Sequence, residues 1–142
     1  MTTTHREVER KFRVTPDFAL PDLVGVGGIV RVSPQPALDM SATYHDTTDL
    51  TLIRWRTTLR RRTGGHDDGW HLKLPVGGPH GEIRDEVRVP LEASPPDQVP
   101  AALADIVAPL VRDAALNPMA TVSVRRFPML LLDASGTALL EV

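Results

Sequence analysis

Residues 57–75, TTLRRRTGGHDDGWHLKLP, decide how the rest of the chain is read. Thr57–Thr63 and Gly69–Pro75 flank the turn Gly64-Gly65-His66-Asp67-Asp68, a strand–turn–strand pattern that predicts a β-hairpin. Side chains alternate across a strand, so Arg60 and Arg62 share one face, and His71 and Lys73 share one face opposite Leu72 and Leu74. The hairpin is therefore two-faced, apolar on one side and cationic on the other.

The same alternation recurs outward from this hairpin. Residues 5–14 read as a strand on which Glu7, Glu9 and Lys11 project together, and Glu82–Leu91 as another on which Arg84, Glu86 and Arg88 oppose Val87 and Val89. Ile29–Ser33 and Ala42–Asp46 add strands upstream. Met119–Leu132 and Thr137–Val142 add strands downstream, separated by the turn Asp133-Ala134-Ser135-Gly136. Val99, Leu103, Ile106, Val107, Leu110 and Val111 recur at helical spacing, which predicts one main helix over about 97–115, kinked or broken at Pro109. The expected class is α+β, mainly β and antiparallel, with seven or eight strands. Leu139-Leu140-Glu141-Val142 reads as a strand with no turn after it, so the expectation is one domain over 1–142 that lacks its last strand or strands.

Composition limits the alternatives. The chain has 142 residues, is 42% hydrophobic and 24% charged, and contains no cysteine, which suits a globular fold without a disulfide framework and a cytoplasmic location. No apolar run reaches membrane-span length, so no membrane partner is expected. Net charge is −2, which excludes a globally basic nucleic-acid footprint. Lys11 and Lys73 are nevertheless the only lysines among the 16 basic residues, and the rest are arginine, the side chain suited to bidentate phosphate contacts.

Charged faces are ordinarily just solvated, but like charges placed side by side repel unless opposite charge lies between them. A sheet closed into a barrel would turn these faces inward into a charged lumen. Seven positive positions (Lys11, Arg60, Arg62, Lys73, Arg84, Arg88, Arg126) then face four negative ones (Glu7, Glu9, Glu86, Glu141), a surplus of three that suits a polyanion. Carboxylates of this kind are hard oxygen donors for Mg2+ or Mn2+.

Other signals are weak. Gly25-Val26-Gly27-Gly28 has no Gly-Lys-Ser/Thr after it and is no phosphate loop. The five histidines lack metal-motif spacing, the aromatics are too scattered for base stacking, and Asp67-Asp68 reads as a turn. Arg54-Trp55-Arg56 reads as surface or rim. Tyr44 and Asp46 divide evenly between site support and packing or capping, and Arg88, Arg125 and His71 receive no role.

Glu7-Val8-Glu9-Arg10-Lys11 matches the ExExK signature that opens the CYTH domain, the triphosphate tunnel metalloenzyme family. Further segments resemble the family in order: Tyr44-His45-Asp46-Thr47, Leu59-Arg60-Arg61-Arg62, Trp70-His71-Leu72-Lys73-Leu74-Pro75, Arg84-Asp85-Glu86 and Val124-Arg125-Arg126. The resemblance implies an eight-stranded antiparallel β-tunnel that binds a triphosphate and Mg2+ or Mn2+. It implies Glu7, Glu9, Glu86 and Glu141 as metal ligands and Lys11, Arg60, Arg62, Lys73, Arg84 and Arg126 as phosphate-binding residues. Lys11 and Glu9 are the expected catalytic pair, and the residues leave open whether Lys11 positions the water or protonates the leaving group.

The style of the motifs resembles the bacterial inorganic triphosphatases often fused to a CHAD domain. Hydrolysis of inorganic triphosphate is the leading expectation. The alternatives are a non-catalytic polyphosphate-binding module and a triphosphatase or cyclase acting on thiamine triphosphate or ATP. Expected partners are inorganic triphosphate or polyphosphate, a fused or separate CHAD domain, and a second copy joined at the unpaired sheet edge, with no specific nucleic acid. The family pattern continues with an acidic strand past Leu140-Glu141-Val142, so the expectation is a chain that binds polyphosphate and turns it over weakly or not at all.

Overall fold

A computed structural model describes residues 1–77 and 83–142. The chain divides into two compact units, the first made of Met1–Arg10 and Met40–Val124, the second of Lys11–Asp39 and Arg125–Val142. Among the described residues no helix is long and apolar enough to cross a membrane.

The first unit carries almost all of a six-stranded sheet. Its strands are β1 (Thr3–Val8), β3 (Leu38–Asp46), β4 (Thr58–Thr63), β5 (Gly69–Gly77), β6 (Ile83–Val89) and β7 (Asn117–Arg126), in the order β1-β6-β5-β4-β3-β7. Two helices belong to the same unit, α1 (Thr51–Arg54) and α2 (Ala101–Val111), with a 3-10 turn at Leu91–Ala93. The second unit holds β2 (Arg31–Pro34), β8 (Met129–Leu132) and β9 (Ala138–Glu141) in the order β2-β8-β9. Its interior is Ile29, Leu131 and Leu132, and the turn before β9 is organised by Asp133, whose carboxylate accepts from the backbone N–H groups of Ser135 and Thr137.

The hairpin of residues 57–75 forms as expected, β4 pairing antiparallel with β5 from Thr58↔Lys73 to Arg62↔Gly69. Gly64 adopts φ +89 in the turn, which a side chain would resist, and Gly69 lets β5 approach so closely that a Cβ there would lie 2.8 Å from the Val89 carbonyl oxygen. The apolar face of this sheet is the core. Leu59, Trp70, Leu72, Val87 and Val89 pack with Leu52 of α1 and with Leu103, Val107 and Val111, which recur every fourth residue along α2.

Several expectations are corrected. The mainly antiparallel β architecture with few helices holds, but among the described residues nine strands in two sheets replace the eight-stranded tunnel, with β1 and β7 at the two edges of the larger sheet. The 5–14 strand is shorter than expected: β1 ends at Val8, and its pairs with the described part of β6 run from Thr3↔Arg88 to Val8↔Ile83. Glu9 and Lys11 therefore lie beyond the strand whose alternation would have put them beside Glu7. The 119–132 strand is two strands, since Phe127-Pro128 interrupts it and Pro has no N–H for a ladder.

The helix is shorter than 97–115. Pro95, Pro96 and Pro100 exclude helix upstream, and Arg112 at φ 54 ends it. Pro109 does not break it, because the Arg112 N–H still reaches the Ala108 carbonyl at 2.8 Å in the final turn. The sequence reading had no helix at 51–54. Glu82, read above as the start of a strand, lies outside the described residues, as do residues 78–81.

Leu103 is fully buried at the centre of this interface. Leu103→Ala is expected to lower unfolding free energy by about 2–5 kcal/mol, as measured by urea denaturation.

Candidate functional site

The pairing registers define one charged face of the larger sheet. Glu7 lies opposite Arg84, Glu86 opposite Lys73, Arg88 opposite His71, and His71 opposite Arg60, which in turn faces Tyr44. Because these residues lie across from one another in the ladders, five strands contribute side chains to a single layer. All of them belong to the first unit.

Glu86 is the centre. Its side chain is buried, and one carboxylate oxygen accepts from His71 Nδ1 at 2.9 Å while the other accepts from Arg88 Nε at 2.7 Å. Lys73 Nζ stands 3.8 Å from it and 2.5 Å from Glu7 Oε2, bridging the two carboxylates. Burial works to raise the Glu86 pKa, but the hydrogen bonds from His71 and Arg88 and the charges of His71 and Lys73 outweigh it and bring it down to about 2.

His71 is also buried, and its second nitrogen, Nε2, meets the backbone carbonyl of Asp67 at 2.7 Å. Both ring nitrogens therefore face oxygen acceptors, one on the Glu86 side chain and one on the hairpin backbone. His71 thereby ties the turn of the β4–β5 hairpin to Glu86. The Asp67 carboxylate accepts from Arg62 Nη1 at 2.7 Å and lies 3.8 Å from Arg88 Nη2. Its burial favours the neutral acid, yet Arg62, His71 and Arg88 hold its pKa below the usual carboxylate value.

Arg60 is different. Its Nη1 donates to the Tyr44 hydroxyl at 3.2 Å, whereas Nε and Nη2 are buried with no hydrogen-bond partner among the described residues. A buried guanidinium with two unpaired N–H groups is costly unless an anion meets it. Arg60, Arg62, Lys73, Arg84 and Arg88 carry five formal charges against three on Glu7, Asp67 and Glu86, so the layer is cationic.

Of the expected site residues, Glu7, Arg60, Arg62, Lys73, Arg84 and Glu86 are brought together in this layer. Glu9 is exposed, one residue past β1, and Lys11, Arg126 and Glu141 are exposed residues of the second unit. Asp67 is corrected from plain turn residue to ion-pair partner of Arg62. His71 and Arg88, previously without a role, hold Glu86. Tyr44 supports Arg60. Asp46 is a cap: its carboxylate accepts from the N–H groups of Thr47, Leu52 and Ile53 and so builds α1. Arg54-Trp55-Arg56 is exposed, as expected.

Among the described residues, no group of three or more His, Asp or Glu side chains is gathered for a metal ion. Mg2+, however, is commonly held by one or two carboxylates plus substrate phosphate oxygens, and Glu7 and Glu9 are hard donors of that kind. The donor chemistry fits a divalent cation completed by its substrate.

The larger sheet is thus two-faced and antiparallel, with an apolar core on one side and a cation-rich layer on the other. The CYTH domain model matches residues 5–140, and the chain belongs to that family of triphosphate tunnel metalloenzymes, which use divalent metals and are typically phosphoryl hydrolases or cyclases. Over 137 residues it is 47% identical to "Uncharacterized protein Rv2226" of Mycobacterium tuberculosis strain ATCC 25618 / H37Rv, and equally to "Uncharacterized protein MT2285" of strain CDC 1551 / Oshkosh. The matched region covers 96% of this chain and 26% of each relative, so the chain spans about a quarter of the length of these curated relatives.

Because Glu86 is held near pKa 2 in the folded chain against an ordinary 4.5, its stabilising contribution is complete above about pH 4.5 and is lost as pH falls toward 2. That contribution is on the order of 3 kcal/mol. Denaturant unfolding between pH 5 and pH 2 is expected to show this acid-side loss in the wild type and a visibly shallower slope in Glu86→Gln.

Proposed function

We propose that this chain binds inorganic triphosphate along the charged face of its larger sheet and hydrolyses it with Mg2+ or Mn2+. One observation carries the reading: Arg60 presents two buried, unpartnered N–H groups within a layer of surplus positive charge. A linear chain of phosphates supplies the oxygens such groups require, several times over and at close spacing.

In this reading Arg60, Lys73 and Arg84 grip phosphate oxygens. Glu86 spaces the cations: by holding His71, Arg88 and Lys73 in place it pre-organises positive charge where negative charge builds during anhydride cleavage. Glu7 and Glu9 hold the divalent cation. When bound, that cation supplies charge neutralisation and an acidified water.

A second reading, a polyphosphate-binding module without turnover, has its own support. Both oxygens of Glu86 and one of Glu7 are already engaged by protein cations, which leaves few carboxylate oxygens for a metal.

Calorimetric titration with tripolyphosphate is expected to show binding that weakens at least tenfold in Arg60→Gln, the loss of a charged contact worth about 1.5–3 kcal/mol. Phosphate release in Mg2+ or Mn2+ should be linear and should vanish in Glu9→Ala. Tight binding with no release in either metal selects the binding module, and no binding at all rejects both readings.

A further inference from the structure

The charged layer has a direction. Moving along the strands from the Glu7 end, its cations come in the order Arg84, then Lys73, then Arg88 and Arg60, and then Arg62 beside the hairpin turn. Successive same-face positions are two residues apart, about 7 Å along a strand, so Arg84 to Arg88 spans roughly 14 Å. At the far end this series of cations does not run open. The Asp67 carboxylate, from the turn, sits on Arg62 Nη1 at 2.7 Å and within 3.8 Å of Arg88 Nη2.

Asp67 is held there rather than merely reaching there. Its own backbone carbonyl accepts from His71 Nε2, and its neighbour Asp68 accepts from the Gly65 N–H at 2.7 Å, which closes the turn. The Arg62 side chain is only 8% exposed, so the pair is largely withdrawn from water. A carboxylate between two guanidinium groups occupies the position, and supplies the oxygens, that the next phosphate of a longer chain would need. Arg60 stands just before this point, its Nη1 donating to the Tyr44 hydroxyl.

We infer that Asp67 is a specificity-determining residue for chain length: its carboxylate caps the cation series at Arg62 and Arg88, so that short linear phosphates are accommodated and longer ones must displace it. This inference rests on the phosphate-binding reading above and says which phosphates that site prefers. The discrimination works by repulsion as well as by occupancy, because a phosphate extending past Arg60 meets a fixed negative charge. His71, which pins the turn through its Asp67 contact, is a positioning residue for this stop.

The test is a ratio of affinities. Dissociation constants for tripolyphosphate and for a long-chain sodium polyphosphate are measured by calorimetry on the wild type, Asp67→Asn and Asp67→Ala, with Asp68→Asn as a same-turn control. Thermal unfolding of each variant verifies that it is folded. Asp67→Asn and Asp67→Ala are expected to shift the ratio on the order of tenfold toward the long chain, with tripolyphosphate affinity changing much less. Asp68→Asn should leave the ratio at the wild-type value.

Wild-type binding of tripolyphosphate together with an unchanged ratio in both folded Asp67 variants overturns the length stop and leaves the phosphate site standing. Should both variants fail to fold, the wild type decides, because the stop requires hydrogen exchange in the 64–68 turn to rise with long-chain polyphosphate and not with tripolyphosphate. Equal exchange with both overturns it. Absence of tripolyphosphate binding by the wild type overturns the site and the stop together.

Discussion

A carboxylate buried in the middle of a sheet is the arrangement on which the rest of this molecule depends. Glu86 has 1% of its surface exposed, and a lone charge there would be strongly disfavoured. Its environment reverses that cost: His71 and Arg88 each donate to one of its oxygens, and Lys73 lies close by and shares itself with Glu7. Each partner comes from a neighbouring strand position, so the ionic cluster sets the register of β1, β6 and β5 as well as the local field. Removing one member leaves others buried and unpaired, which makes the cluster cooperative.

The division of labour between the two faces follows from the period of a strand. On one face, Trp70, Leu72, Val87 and Val89 meet α2 and exclude water. On the other, the intervening residues are charged, and the same backbone that rigidifies the core holds those charges at fixed spacing. The hydrophobic face supplies stability and the polar face supplies chemistry. His45 shows the boundary: it lies on the apolar side against the Trp70 ring at 5.0 Å, and burial lowers its pKa, so it belongs to the core and not to the charged layer.

Much of the candidate site was legible as alternation. Arg60 with Arg62, His71 with Lys73, and Arg84 with Glu86 and Arg88 share faces in the structure as their spacing requires. What was illegible were the contacts made by residues outside that rhythm. Asp67 lies in a turn rich in glycine and acid, and nothing in its neighbourhood of sequence says that the turn folds back onto Arg62 and Arg88. His71 was visible on the right face, but its two acceptors come from residue 86 and from a backbone carbonyl, neither of which a strand pattern reveals. Asp46 gave only a weak local signal, an acid shortly before a short helix whose N–H groups it caps.

The sequence by itself determined the two-faced strands, the hairpin, the apolar stripe of α2 and the family, because these depend on local period and on motifs in fixed order. Tertiary structure alone decided where strands end, which ones pair, and how many of the charges neutralise one another. Alternation says on which side a side chain lies, but Coulomb energy depends on distance across strands, and that distance exists only once β1, β6, β5 and β4 have found their registers.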